Sequence, residues 1–456
     1  MGTIVTKHDM HAGRRVKTLY RDLSIAPHIL YSYATLARAL CGARWPPRTA
    51  SKRTALQGLL GLAEVGRMEM VHKTYEEIND RIARGEAVVL TAEEVARMGE
   101  ELSPAEIARK VDVVTTATFG AMCSSGCFIN FGHPEPGIRM ESITLNEVPV
   151  FGGLAAVDAY IGATEVSPNN PRYGGAHLIE ALVKGDRLVL EARGKGTDCY
   201  PRRTIRAEIS KETVNEVTMV NPRNAYQNYP AATNSSSRIL YTYMGTLLPK
   251  FGNVTYSTSG ELSPLLNDPE LRTIGVGTRV FLAGAQGFVT WNGTQFNTEK
   301  PRNEWGLPLG NARTLMLTGD VKKMDPAFLK AAYFERYGVT LFVGVGIPIP
   351  VLDEDLARRV SISNRQIETT ICDYALDGHP GIARTSYAEL RSGALTLHGR
   401  RVRTAPLSSL AKAREIAELL KVQVASGSFP LAPPTQALPA HAVVRGLQPS
   451  DSGGLE

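Results

Sequence analysis

The sequence predicts an α/β fold, with a mixed sheet or sheets and flanking helices in a topology that the residues leave open. Three observations lead there. Helix-start signatures recur ahead of apolar runs. β-Branched runs of strand length alternate with them, and Gly, Asn and Pro turns separate the two kinds of segment. At 456 residues, 43% hydrophobic and 21% charged, the chain has the size and composition of a globular protein with a large core.

The body begins near Lys73. Thr74 with Glu77 is a capping box opening a helix through Arg84, which Gly85 stops. Ala87 to Leu90 is a short strand. Thr91 with Glu94 caps a second helix, and Ser103 caps a third from Pro104 to Lys110. Val111 to Phe119 is β-branched and apolar, a buried strand. Residues 140–300 alternate strand-like runs with turns, among them Arg187 to Ala192, Thr204 to Ile209 and Val276 to Leu282. A helix from Ala176 to Val183 ends at Gly185. Asp325 is expected to cap a helix from Pro326 to Tyr337, ahead of a strand from Val339 to Val345 and a helix from Asp353. Ser408 to Val424 is an amphipathic helix.

Three divisions follow. Residues 1–70 form a basic N-terminal extension, read as disordered or as an over-extended start before Met68 or Met70. Residues 71–425 form the main domain. Residues 426–456, rich in Pro, Ala, Ser and Gly, are expected to be a disordered tail.

Charge bears on partners. Of 51 basic and 45 acidic residues, eleven and four lie in residues 1–70, so the remainder holds 40 against 41. A near-neutral body has no electrostatic footprint for nucleic acid. The longest apolar run, Val339 to Leu352, is interrupted by glycines and prolines and falls short of the roughly 20 residues of a membrane helix. Neither nucleic acid nor a membrane is an expected partner. Five scattered cysteines, Cys41, Cys123, Cys127, Cys199 and Cys372, fit reduced thiols and a cytoplasmic location.

Three segments carry chemistry. In Phe119-Gly-Ala-Met-Cys-Ser-Ser-Gly-Cys127 a strand runs into a loop whose amides and hydroxyls favour a thiolate. Two structural cysteines in a tight turn would read the same way. In Gly194-Lys-Gly-Thr-Asp-Cys-Tyr-Pro-Arg-Arg203, Cys199 sits between Lys195 and Arg202/Arg203. Those cations can stabilise a thiolate or hold a carboxylate, and a solvated basic turn is the alternative. Arg223 and Asn224 belong to a run of amides and hydroxyls from Asn221 to Ser236, suited to a small amino acid or to a polar loop. His133 and His177 are candidate proton shuttles or structural histidines. Cys123, Cys127 and Cys199 could supply three thiolates to a [4Fe–4S] cluster. No GxxxxGK[ST] or strand–GxGxxG–helix pattern points to a nucleotide.

Taken together, several strings resemble the homocysteine biosynthesis protein family, the L-aspartate semialdehyde sulfurtransferases. They include Val111-Asp-Val-Val-Thr-Thr116, Gly120-Ala-Met-Cys-Ser-Ser-Gly126, Asn130-Phe-Gly-His133, Tyr173-Gly-Gly-Ala-His177, Gly196-Thr-Asp-Cys-Tyr-Pro-Arg202 and Asn221-Pro-Arg-Asn-Ala-Tyr-Gln227. The resemblance spans residues 70–435. It implies sulfur transfer to aspartate semialdehyde, with Cys199 as persulfide carrier and Cys123 as its partner. Where the family carries alanine this chain has Cys127. Neither a CBS pair nor a ferredoxin cysteine run is present, so a separate ferredoxin-like electron donor is expected.

An aldehyde and sulfide lose water to give a thioaldehyde, and two electrons with two protons carry it to the thiol. The expected route delivers sulfur from a Cys199 persulfide and resolves the linkage through Cys123, leaving a Cys123–Cys199 disulfide for an external reductant. That needs Cα atoms within about 7 Å. Arg202, Arg203 or Arg223 is the expected carboxylate holder, Asn224 is a further expected substrate-binding residue, and His133 or His177 is expected to protonate the carbonyl oxygen. The alternatives are the three-cysteine cluster binding hydrosulfide, a non-catalytic sulfur or metal carrier serving a separate synthase, and an acyl-thioester enzyme using Cys199 with His177. A homo-oligomer is compatible with all of them.

Overall fold

The computed structural model describes residues 71–448 except Ala225; the expectations for residues 1–70 and for the end of the tail lie outside the described residues. All three N-terminal capping boxes form, on helices Tyr75–Ala83, Ala92–Met98 and Pro104–Lys110. Each Ser or Thr oxygen satisfies an otherwise unpaired amide, and each Glu three residues on reaches back to the cap.

The largest sheet has ten strands, numbered here in chain order: β1 (Val89–Thr91), β2 (Val113–Ala121), β3 (Gly126–Asn130), β4 (Asp158–Gly162), β5 (Glu216–Asn224), β6 (Arg279–Leu282), β7 (Ala285–Asn292), β8 (Leu315–Asp320), β9 (Leu329–Phe334) and β10 (Gly338–Pro350). Their hydrogen-bonded order is β1-β2-β10-β6-β7-β8-β5-β3-β4, with β9 pairing β10. Five strands therefore separate β2 from β3 within the sheet, although residues 122–125 alone join them in sequence. Flat, those six spacings would span about 29 Å, and the short connection reaches about 18 Å at most. The sheet has to curl, so that the end of β2 comes round to the start of β3.

The helix Gly175–Lys184 packs Leu178, Ile179 and Leu182 into one core with Cys127, Ile129, Met219, Leu317 and Val343. The helix Leu410–Ala425 covers β2 and β10 with Ile416 and Leu420. It approaches so closely that a Cβ on Gly344 would lie 2.7 Å from Ile416 Cδ1. A six-stranded sheet (Gly381–Ser386, Glu368–Asp373, Ala231–Thr233, Asn253–Tyr256, Arg400–Pro406, Ala394–Leu397, in pairing order) and a four-stranded sheet (Thr204–Ile209, Leu188–Arg193, Ser142–Leu145, Val148–Val150) complete the principal architecture. No described helix is long and apolar enough to cross a membrane.

Two expectations are corrected. The helix expected over 326–337 is a short 3-10 turn, Pro326–Phe328, followed by strand β9, which forms a hairpin with β10 along its whole length. Ala331 and Ala332 favour helix locally, but pairing with the apolar β10 overrides propensity. The tail docks on the body as far as Ala442: Phe429 and Leu431 are buried, Gln436–Ala437 pairs with Gly275–Val276, and Ala442 exchanges hydrogen bonds with Thr298. A Pro-rich composition lowers helix and sheet content without preventing a segment from docking apolar side chains in a groove.

Candidate active site

Where β2 comes round to β3, residues 122–125 form a pinned turn. The Met122 amide donates to Leu341 O, extending the β2–β10 ladder, and Ser125 Oγ donates to Met122 O at 2.7 Å. Asn221 Nδ2, buried at the end of β5, donates to Ser125 Oγ at 2.8 Å. These bonds leave Cys123 exposed at the edge of a cavity of about 460 Å³. The six-stranded sheet region, the β9–β10 turn and the segment after β5 supply its other walls.

Arg223 lines the cavity, as do Tyr226, Tyr229, Tyr243 and Tyr337. Arg223 Nε donates to Thr294 Oγ1 at 3.2 Å, and Nη1 to the Tyr226 hydroxyl at 3.5 Å. Burial works against its charge, but Tyr226 and the facing Cys123 outweigh that and hold the guanidinium above its ordinary pKa. The tyrosines form a connected cluster, with ring centroids 5.0 Å apart for Tyr226–Tyr229, 6.3 Å for Tyr229–Tyr243 and 6.1 Å for Tyr243–Tyr337. The Tyr243 and Tyr374 hydroxyls bond at 2.9 Å. Burial pushes the Tyr337 phenol up to about 12, and Cys123 in the same cavity adds to the shift. An electrophile entering here meets an accessible thiol, a fixed cation and several neutral hydroxyl donors.

The other expected residues divide between two further places. Cys199 is exposed at a tight turn between strands Leu188–Arg193 and Thr204–Ile209, closed by reciprocal backbone bonds between Thr197 and Tyr200. His133 stacks on Tyr200 with ring centroids 6.0 Å apart. Arg202 donates to the carbonyls of Glu135 and Pro136, both at 3.0 Å, so its guanidinium fastens this turn. Arg203 flanks the same turn. His177 belongs to the N-terminus of the helix Gly175–Lys184, where Nδ1 accepts from the Gly174 amide and the ring stacks on Tyr173. Burial pushes its imidazole pKa down, which keeps it neutral. Asn224 ends β5, and its side chain lies outside the described residues.

Cys123 and Cys199 therefore lie at opposite ends of β3. Gly126, just after the Cys123 turn, pairs with Val220 and Gly162; Asn130 pairs with Glu216 and Asp158 at the far end. The Cys199 turn packs on residues 135–137, beyond that far end. The four residue steps of β3 interpose about 13 Å, against the roughly 7 Å limit for a disulfide. The expected direct disulfide does not fit this arrangement, because sequence spacing carries no information on which strand end a distant loop reaches.

The three-cysteine donor set does not fit a cluster either. Cys127 is wholly buried in the core, where burial pushes its thiol far up, and the described residues contain no group of three metal-ligating side chains. Of the residues that line the cavity, sequence reasoning found Cys123 and Arg223. Tyr226 and Tyr229 stood inside the polar run that it singled out. It missed Tyr243 and Tyr337; Tyr337 was hidden by the expected helix, and only the Gly338 that follows it hinted at a turn.

Residues 87–431 match the family described as homocysteine biosynthesis enzyme, sulfur-incorporation. The chain is 50% identical over 372 residues to an L-aspartate semialdehyde sulfurtransferase of Methanosarcina acetivorans, covering 81% of this chain and 72% of the relative. It is also 50% identical over 380 residues to a protein of that name from Methanocaldococcus jannaschii, covering 79% and 72%. An uncharacterized protein of Methanothermobacter thermautotrophicus is 30% identical over 327 residues, 70% of this chain and 71% of the relative. No solved structure matches.

Proposed function

The chain belongs to the homocysteine biosynthesis enzyme family, and from that premise we propose that it transfers sulfur to L-aspartate semialdehyde, giving L-homocysteine, with Cys123 as the thiol that presents sulfur to the aldehyde. One observation carries the assignment to Cys123: it is an exposed thiol in a cavity that also holds a fixed arginine. Arg223 takes the substrate carboxylate, for which a guanidinium fork is suited. The tyrosine hydroxyls surround the aldehyde and can donate to its oxygen.

Electron counting sets what else is needed. A Cys123 persulfide adds to the aldehyde through its outer sulfur, forming a C–S bond and leaving the carbonyl oxygen as a hydroxyl. Two electrons and two protons cleave the adduct's S–S bond, returning the Cys123 thiol. The released carbon centre loses water to give a thioaldehyde, and two further electrons and protons yield homocysteine. With no partner thiol beside Cys123 among the cavity-lining residues, the electrons come from a separate ferredoxin-like donor. Cys199, on its exposed turn beyond the far end of β3, is too distant for direct sulfur transfer to Cys123 within one chain just as it is for a disulfide, and neither step is part of this reading.

The test is anaerobic homocysteine formation from aspartate semialdehyde, a soluble persulfide and a low-potential reductant. Wild type turns over, Cys123→Ser does not, and Cys199→Ser retains turnover because its turn lies away from the Cys123 cavity. An active Cys123→Ser protein would move the sulfur-presenting thiol elsewhere.

A further inference from the structure

Addition of sulfur to an aldehyde puts negative charge on the carbonyl oxygen, and a proton has to arrive there. The two histidines that sequence reasoning offered for this step stand elsewhere. His133 packs on the Cys199 turn, and His177 accepts a backbone amide at a helix start. No carboxylate or imidazole is among the described residues that line the Cys123 cavity. The titratable groups among them are Cys123, Arg223 and the tyrosines 226, 229, 243 and 337. A guanidinium does not give up a proton at physiological pH, so the donor is a phenol.

Geometry separates the four phenols. The Tyr226 hydroxyl accepts from Arg223 and donates to Gln295 Oε1 at 3.4 Å. Tyr243 shares its hydroxyl with Tyr374, and the Tyr229 ring packs edge-on against Tyr243. Tyr337 stands on the turn between β9 and β10 and lines the same cavity as Cys123. It is 39% exposed, and it lines both this cavity and an open groove beside it, so solvent can restore its proton.

Resting on the sulfur-transfer reading above, we propose that Tyr337 is the catalytic acid of the Cys123 site, donating its hydroxyl proton to the aldehyde oxygen as sulfur adds to the carbonyl carbon. In that step the outer sulfur of the persulfide anion forms the C–S bond and the C=O π bond breaks. The phenol proton passes to the oxygen, and the tyrosinate recovers a proton from water. Charge and atoms balance without a further reactant.

Tyr337→Phe removes the hydroxyl and keeps the ring. General-acid catalysis contributes about 10²- to 10⁴-fold, so kcat is expected to fall by about 100-fold or more. KM for aspartate semialdehyde should stay within about threefold. Alkylation of Cys123 by iodoacetamide with Cys127 still protected confirms that the variant is folded. A folded variant with kcat within threefold of wild type, or one whose loss lies in KM with kcat unchanged, overturns the role of Tyr337 and leaves the sulfur-transfer reading standing. A wild-type protein that forms no homocysteine overturns both.

Discussion

Replacing Arg223 with methionine isolates the proposed hold on the substrate carboxylate. Two of the five guanidinium N–H groups are committed, one to Thr294 and one to Tyr226. The others remain for a ligand, so one charge-assisted pair with a carboxylate is available. Hydrogen bonds to charged groups contribute about 1.5–3 kcal/mol, and each 1.4 kcal/mol is tenfold in an equilibrium or rate ratio. R223M should therefore lower kcat/KM for aspartate semialdehyde by about 10- to 100-fold. The control is propanal, an aldehyde with neither carboxylate nor ammonium group, assayed anaerobically with the same sulfur source and reductant. Its slow conversion should change by less than about threefold. Equal losses with both aldehydes would refute the carboxylate role and show that Arg223 acts on the sulfur chemistry at Cys123 instead. No loss with either would remove Arg223 from the site altogether.

Two further outcomes follow from burial. Under native conditions iodoacetamide should label Cys123 and Cys199 rapidly and leave Cys127 unlabelled even at pH 9, because Cys127 is enclosed and burial holds its thiol in the protonated form; peptide mass spectrometry before and after urea checks this, and native labelling of Cys127 would contradict its place in the core. Truncation after Ser428 removes the buried Phe429 and Leu431 together with the strand at Gln436–Ala437; at about 1.5–3 kcal/mol per large buried side chain the loss should be about 3–6 kcal/mol in urea unfolding, and an unchanged midpoint would refute the docking of this segment.

Much of the local structure was legible because its causes are local. The Ser/Thr-x-x-Glu signatures at Thr74, Thr91 and Ser103 each became a capping box, since the four residues involved are adjacent. The strand Thr204–Ile209 and the helix ending at Gly185 formed where pattern and C-cap put them. The place of Cys123, just past the end of a buried strand, also followed from sequence, because a run of β-branched residues ending in Gly, Ser and Cys can only be a strand leaving the core.

What tertiary structure alone decided is which of these local pieces meet. Phe119 to Cys127, the Cys199 segment and the run from Asn221 carried comparable chemistry in the sequence, and joining all three into one site was the natural reading. Curling of the ten-stranded sheet brings Arg223 to Cys123, because the end of β5 and the start of β3 lie at the same edge. The same β3 carries the chain away to the opposite edge before it reaches the Cys199 turn. Tyr337 joins Cys123 only because β9 chose pairing with β10 over the helix that its alanines favour. Propensity and capping act over a few residues and can be read from them. Strand order, sheet curvature and which end of a strand a distant loop reaches depend on non-local burial that no short window of sequence contains.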